Sequence, residues 1–329
     1  MYNEEQLKVV NHVSGPAAVL SGAGSGKTTT LIGRIEQLAK FTDPSRIVML
    51  TFTNAAAEEM KIRASKINKN CKDVVACTYH KYCGTMLRKY GKIIGIEPSF
   101  EILTGAKYTT FIEYIKSSNE YYESLKNFPS ASKLADIFSA ITNTDLTISQ
   151  LIYNTKYSEY ETDIQNLYTE IKQAGLEQQK LNFDDMLVYM NKLLDNKEIC
   201  EKIANSFDFL MVDEFQDTND LQLRMLLKLS KYNQNITVVG DISQSIYKFR
   251  GAKVQNIKKF IDSFQDCDVY SLTINYRSTQ EILDAANSVM NNNVRSWQYV
   301  DMTSNNKHGD LPIIKHNHND YDQAEWVIN

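Results

Sequence analysis

The sequence predicts an α/β fold: a parallel sheet that carries a phosphate-binding loop and is interrupted by a helical insertion. Three observations carry this reading. Short apolar, β-branched runs recur along the 329-residue chain with helical stretches between them, the pattern of a sheet wound by helices on both faces. The first run, Ala17–Leu20, leads directly into Ser21-Gly22-Ala23-Gly24-Ser25-Gly26-Lys27-Thr28, the strand, glycine-rich turn and helix start of a phosphate-binding loop. The alternation then stops between about Lys92 and Leu181 and resumes at Phe207.

Taken in order, the predicted strands are Ala17–Leu20, Ile47–Phe52, Val74–Thr78, Phe207–Val212, Ile236–Val239 and Val269–Thr273. Each is a short buried run flanked by turn residues or helical patterns. The interrupting region carries tyrosines, serines and charges at helical spacing, as in Tyr108–Ile115 and Tyr160–Ile171, with almost no strand signal. Residues 1–92 and 182–280 are therefore expected to form one sheet domain in two pieces, with 93–181 as a helical subdomain inserted between them. Glu97-Pro98-Ser99 and Asn182-Phe183-Asp184-Asp185 are plausible borders.

Composition narrows the class. Hydrophobic residues make up 43% of the chain and charged residues 23%, which excludes both a disordered segment and a membrane protein. No run reaches the length of a spanning helix, and the polar start Met1-Tyr2-Asn3-Glu4-Glu5 is not a signal peptide. The cysteines (Cys71, Cys77, Cys83, Cys200 and Cys267) form no CxxC pair and read as reduced thiols of a bacterial-type cytoplasm. His316 and His318 have no ligand partner at metal spacing and read as a polar loop.

The net charge of −4 hides two basic zones. Lys61 to Lys92 holds nine basic residues and one acid, and Ile246 to Lys259 holds five basic residues and no acid. Such zones fit a nucleic-acid backbone track; charge alone fits the solvated faces of two helices equally well.

Chemistry enters with the glycine-rich loop. Gly22, Ala23, Gly24, Ser25 and Gly26 let successive backbone N–H groups turn inward around phosphate oxygens, and the helix N-terminus adds its partial positive charge. Lys27 is placed to reach the β/γ-phosphates and Thr28 to hold Mg²⁺, which points to a nucleoside triphosphate, ATP. A chance glycine-rich turn is the bland alternative. Phe207–Val212 runs into Asp213-Glu214-Phe215-Gln216-Asp217, where such proteins place their second acidic motif. Asp213 is expected in the Mg²⁺ shell and Glu214 as the base for the attacking water. Gln216 and Gln244 are candidates to sense the γ-phosphate.

These residues carry a family resemblance. Asp213-Glu214-Phe215-Gln216-Asp217-Thr218-Asn219 and Val239-Gly240-Asp241-Ile242-Ser243-Gln244-Ser245-Ile246-Tyr247-Lys248-Phe249-Arg250-Gly251-Ala252 resemble motifs II and III of the UvrD/Rep family of superfamily 1 DNA helicases. Gln6 resembles the adenine-reading Q motif, Thr51-Phe52-Thr53-Asn54-Ala55-Ala56 motif Ia, Thr78-Tyr79-His80 motif Ib and Asn275-Tyr276-Arg277-Ser278 motif IV. The match covers residues 1 to about 290, the insertion least well. It implies a RecA-like motor domain whose partner is single-stranded or partly duplex DNA. Gln6 and Tyr276 would hold adenine, with Thr29 beside them, and Lys27, Thr28, Asp213 and Glu214 would carry out hydrolysis. Gln244 and Arg277 would meet the γ-phosphate. Phe52, Thr53, Asn54, His80, Tyr247, Phe249 and Arg250 match positions along the DNA track, where aromatic faces accept any base. For Tyr247 and Phe249 core packing is the other reading.

The sequence departs from the family pattern at Thr29, where Arg is frequent, and at Ala55, Ser243 and Phe249. Nothing resembles motifs V and VI, so 281–329 is expected to be the start of a truncated second RecA-like domain, and the isolated chain to be nearly inactive. The resemblance implies a helicase moving 3′ to 5′. A helicase–nuclease or a non-translocating DNA-binding switch stays open, separable by a downstream carboxylate cluster or by DNA-stimulated ATP turnover.

Overall fold

The computed structural model describes residues 2–245, 251–291 and 300–328. Along the chain its strands are β1 (Ala17–Ser21), β2 (Ile47–Thr51), β3 (Val75–Thr78), β4 (Glu101–Leu103), β5 (Lys180–Asn182), β6 (Phe209–Val212), β7 (Ile236–Gly240), β8 (Asp268–Leu272), β9 (Ile274–Asn275) and β10 (Thr303–Ser304). Six of them form one parallel sheet in the order β3–β2–β6–β7–β1–β8. These are the six runs predicted from the sequence, shifted by a residue or two at their ends.

Four of the sheet's strands, β1, β2, β6 and β7, are buried on both faces along their length, as in parallel sheets, while the edge strand β8 is largely exposed. Alternate side chains serve opposite cores: Ala18, Leu20, Val48, Leu50, Leu210 and Val212 pack on one side, and Val19, Ile47, Met49, Phe209 and Met211 on the other. Helices α1 (Glu4–Val10), α2 (Lys27–Leu38), α3 (Asn54–Ile67) and α4 (Tyr79–Tyr90) alternate with the first strands. Side-chain caps fix where α1, α3 and α4 begin. The Thr53 hydroxyl accepts from the Ala56 N–H (3.1 Å) to start α3 and that of Thr78 accepts from Lys81 (3.2 Å) to start α4.

Helices α5 (Gly105–Ser117), α6 (Glu120–Ser124), α7 (Ala131–Asn143), α8 (Ile148–Ile152) and α9 (Glu161–Glu177) share a core of their own around Phe111, Leu134, Phe138, Ile164 and Leu167. Two strands that the sequence did not announce close this region at its base. β4 and β5, three residues each, pair in parallel from Glu101 opposite Lys180 to Leu103 opposite Asn182. Strands so short carry too few alternations for periodicity to register.

The chain continues through α10 (Phe183–Leu193), α11 (Lys197–Ala204), α12 (Asp220–Leu229) and α13 (Gln255–Asp262) over the first core, then α14 (Gln280–Asn291) and α15 (Asp320–Ile328). β9 pairs with β10 as a small separate sheet. Among the described residues no helix is long and apolar enough to cross a membrane. All five cysteines are free, with Cys71, Cys77, Cys83 and Cys200 buried.

Candidate nucleotide site

The strand register decides where chemistry can happen. β1 pairs with β7 up to Leu20 opposite Gly240, and β2 pairs with β6 up to Leu50 opposite Val212. Their carboxyl ends therefore finish at one edge of the sheet, the edge where open α/β sheets bind ligands. The glycine loop leaves β1 there, Asp213-Glu214 leaves β6, and Asp241–Gln244 leaves β7.

Helix α2 begins at Gly26, which lies in the left-handed region (φ 79°) and offers no capping side chain. The first N–H groups of any α-helix lack intrahelical partners, so this terminus is open to an anion. The loop is braced from two sides. Gln6, buried in α1, donates from Nε2 to the Ser25 carbonyl at 3.0 Å. Asn275, also buried, donates from Nδ2 to the Ala23 carbonyl at 2.5 Å, while the Tyr276 N–H donates to the Gly24 carbonyl at 2.9 Å. The Tyr276 hydroxyl in turn accepts from Asn3 Nδ2 at 2.9 Å. Asn3 and Gln6 cap α1 reciprocally, each side chain accepting from the other's backbone N–H at 2.7 and 3.1 Å. Gln6 and Tyr276 thus both hold the loop just ahead of its helix start, linked to each other through Asn3. Thr29 is exposed beside it, and the Arg277 N–H donates to Asn275 Oδ1 at 2.8 Å.

Gly24 is the position where only glycine fits. Its φ is +68°, and a Cβ there would lie 2.8 Å from both Arg277 Cβ and Asn275 Nδ2. Gly24→Ala is expected to destabilise the chain by about 1–3 kcal/mol through backbone strain and to weaken nucleotide binding by pushing residues 275–277 off the loop. Thermal melting and a nucleotide titration check this; an unchanged melting point would show that the loop relaxes freely.

Facing the loop, Lys27 Nζ approaches Glu214 Oε2 at 3.4 Å. Glu214 holds a left-handed backbone (φ 52°, ψ 43°), a conformation that costs energy for a side-chain-bearing residue and gathers at functional sites. Its Oε2 also accepts from Gln216 Nε2 at 2.8 Å. Buried Gln216 accepts from the Asp241 N–H at 2.9 Å, and Asp241 Oδ2 accepts from Gln244 Nε2 at 2.7 Å. A continuous chain of hydrogen bonds therefore joins the acidic motif to the turn after β7.

The cluster is rich in buried negative charge. Burial, and then the charge of Glu214, pushes the Asp213 carboxyl up to about 6. The same causes push Asp217 up to about 6, and burial raises Asp241. Lys27 opposes all three shifts. A buried carboxylate held so high lacks a counter-charge, which a divalent cation supplies. The donor set fits Mg²⁺, which favours one or two carboxylates together with substrate phosphates. Asp213 and Thr28 line the same cleft of about 380 Å³. Among the described residues no group of three or more His, Cys, Asp or Glu side chains forms a separate metal centre.

That cleft continues past Glu214, Gln216 and Gln244 to Phe52 and Thr53. Asn54 opens α3 and is exposed. His80 lies on α4 with its ring edge-on to Phe183 at 5.1 Å. Tyr247, Phe249 and Arg250 lie outside the described residues. In the second basic zone, Lys253 pairs with Asp145 and Asp220 and Lys259 with Asp220, so these two charges are met by two carboxylates within the chain.

Sequence reasoning assigned no role to Asn3, Asn275 or Asp241, each of which shapes the site. Asn3 was detectable, because Asn-x-x-Gln ahead of an apolar helical pattern is a capping-box signature. Ser21, a departure from the usual loop opening, donates from its hydroxyl to the Gly240 carbonyl at 3.0 Å and ties β1 to β7.

A parallel sheet with a glycine loop after an interior strand, β1, and an acidic pair two strands away defines a RecA-like P-loop domain. The family profile "UvrD/REP helicase N-terminal domain" matches residues 2–265, and "UvrD-like helicase C-terminal domain" matches residues 270–329. The chain belongs to the UvrD/REP helicase family. It is 34% identical over 332 residues to the "Probable DNA helicase II homolog" of Mycoplasma capricolum, covering 99% of this chain and 46% of that protein. It is 37% identical over 295 residues to the "ATP-dependent DNA helicase PcrA" of Bacillus subtilis (88% and 39%) and 33% identical over 335 residues to that of Staphylococcus aureus (99% and 44%). The chain spans less than half the length of these relatives.

Proposed function

We propose that the chain is the ATP-binding, single-strand-gripping part of an ATP-dependent DNA helicase of the UvrD/Rep kind that moves 3′ to 5′ in the cytoplasm. The observation that carries this is one cleft lined both by Thr28, Asp213, Glu214 and Gln244 and by Phe52 and Thr53. A cleft of that extent lets a change at the γ-phosphate be felt at the DNA track.

In this reading the N–H groups of residues 22–28 cradle the phosphates, and Gln6 and Tyr276 hold adenine. Lys27 neutralises the β/γ-phosphates, and Arg277 and Gln244 meet the γ-phosphate. Thr28 and Asp213 would hold Mg²⁺, which when bound offsets the charge of the phosphates. Glu214 orients the attacking water and takes its proton, with its carboxylate fixed by Gln216. Phe52, Thr53, Asn54, His80, Tyr247, Phe249 and Arg250 line the single-strand track. Residues 1–92 and 182–280 form the first motor domain, 93–181 its insertion and 281–329 the start of the second domain.

ATP turnover by the complete protein with and without single-stranded DNA tests this reading. Turnover that rises with DNA of any sequence and falls with salt is the expected result. Turnover indifferent to DNA would leave a nucleotide-binding protein that is not a helicase.

A further inference from the structure

The insertion meets the sheet domain at a junction centred on one residue, Asn143, the last residue of α7. Its Nδ2 donates to Asp184 Oδ1 at 2.7 Å, at the start of α10. Its Oδ1 accepts at 2.8 Å from Nδ2 of Asn219, the cap of α12 that follows the acidic motif. Its backbone carbonyl packs against Gly251, whose φ is +80° and where a Cβ would overlap that oxygen. Two residues on, Lys253 bridges Asp145 of the insertion and Asp220 of α12.

This junction is stitched to the nucleotide cleft. Ser245 donates its hydroxyl to the Gln216 carbonyl at 3.2 Å. The Thr218 carbonyl accepts from the Lys253 N–H at 3.4 Å and from Asn256 Nδ2 at 2.8 Å. The segment after β7 is therefore fastened to the acidic motif on both sides of residues 246–250. Any shift of Gln216 and Asp241 as Glu214 meets a γ-phosphate moves the ground on which Gly251 and Lys253 stand.

We infer that Asn143, Gly251 and Lys253 are positioning residues that couple the state of the nucleotide cleft to the placement of the helical insertion; this rests on the nucleotide reading above. An exposed ion pair such as Lys253–Asp145 holds weakly alone. Coupling comes from its combination with a glycine-only contact and a side chain that bridges two elements of the sheet domain. Coupling of this kind requires that the nucleotide interact differently with two arrangements of the junction.

The test is hydrogen exchange of residues 140–152 in the 329-residue chain, with and without a saturating Mg-bound non-hydrolysable ATP analogue, alongside calorimetric titration of the same analogue. In the unmodified chain the analogue is expected to change exchange across 140–152. In Asn143→Ala and Lys253→Met its affinity is expected to be unchanged and the exchange response lost, while Lys253→Arg keeps both. Lys253→Met carries the test if Asn143→Ala fails to fold, because the Lys253 side chain is only partly buried and Met keeps its apolar stem. Binding without an exchange response in the unmodified chain overturns the inference alone, as does a response that survives in Lys253→Met. No binding to the unmodified chain overturns the nucleotide reading and this inference with it.

Discussion

Glu214→Gln in the complete protein is expected to bind Mg-ATP as tightly as the unmodified protein, or more tightly, and to lose turnover. The amide keeps the shape of the side chain, and its oxygen still accepts from Gln216 and Lys27, which approach Glu214 Oε2 at 2.8 and 3.4 Å. The left-handed backbone at this position is as tolerable for Gln as for Glu. What is lost is the ability to take a proton from water, a loss of about 10²–10⁴-fold for a general base. The substitution also removes a negative charge that raises Asp213 and Asp217 and would repel the γ-phosphate, hence the retained or improved affinity. Steady-state turnover together with an equilibrium titration checks both halves. Normal turnover would move the base elsewhere, with Asp217 the next carboxylate to consider.

Lys27→Ala has the second large effect, on binding. The Lys27 side chain is 11% exposed, and its charge opposes the upward shifts of Asp213, Asp217 and Asp241. Without it a polyanion would enter a cleft lined by Asp213, Glu214 and Asp217 without the cation that offsets those carboxylates. Removing one partner of a desolvated charge pair costs about 2–5 kcal/mol, or roughly 30- to 4,000-fold in Kd. Calorimetric titration of the 329-residue chain measures this, with far-UV circular dichroism confirming that the variant is folded. Unchanged affinity would remove the glycine loop from the binding site.

The central sheet was legible because its inner strands β1, β2, β6 and β7 are short, nearly continuous apolar runs, as strands buried on both faces must be. The meeting of Lys27, Glu214 and Gln244 at one edge follows from three motifs that each leave the carboxyl end of such a strand. What the sequence hid is long-range. β4 and β5 pair residues 79 positions apart, as in Leu103 opposite Asn182, and each is only three residues long, so neither shows a period. The brace of Asn275 against Ala23 joins positions 252 residues apart, and that of Asn143 against Asn219 joins positions 76 apart. Single polar side chains of this kind look like any surface asparagine until the fold brings their partners to them.

A crystal structure of the 329-residue chain with a Mg-bound non-hydrolysable ATP analogue tests the central claim most directly. The account predicts phosphate oxygens on the backbone N–H groups of residues 24–28, the metal on Thr28 and near Asp213, the γ-phosphate at Lys27, and the base between Gln6 and Tyr276. A nucleotide bound elsewhere, or bound in this cleft with its phosphates away from the glycine loop, would contradict it.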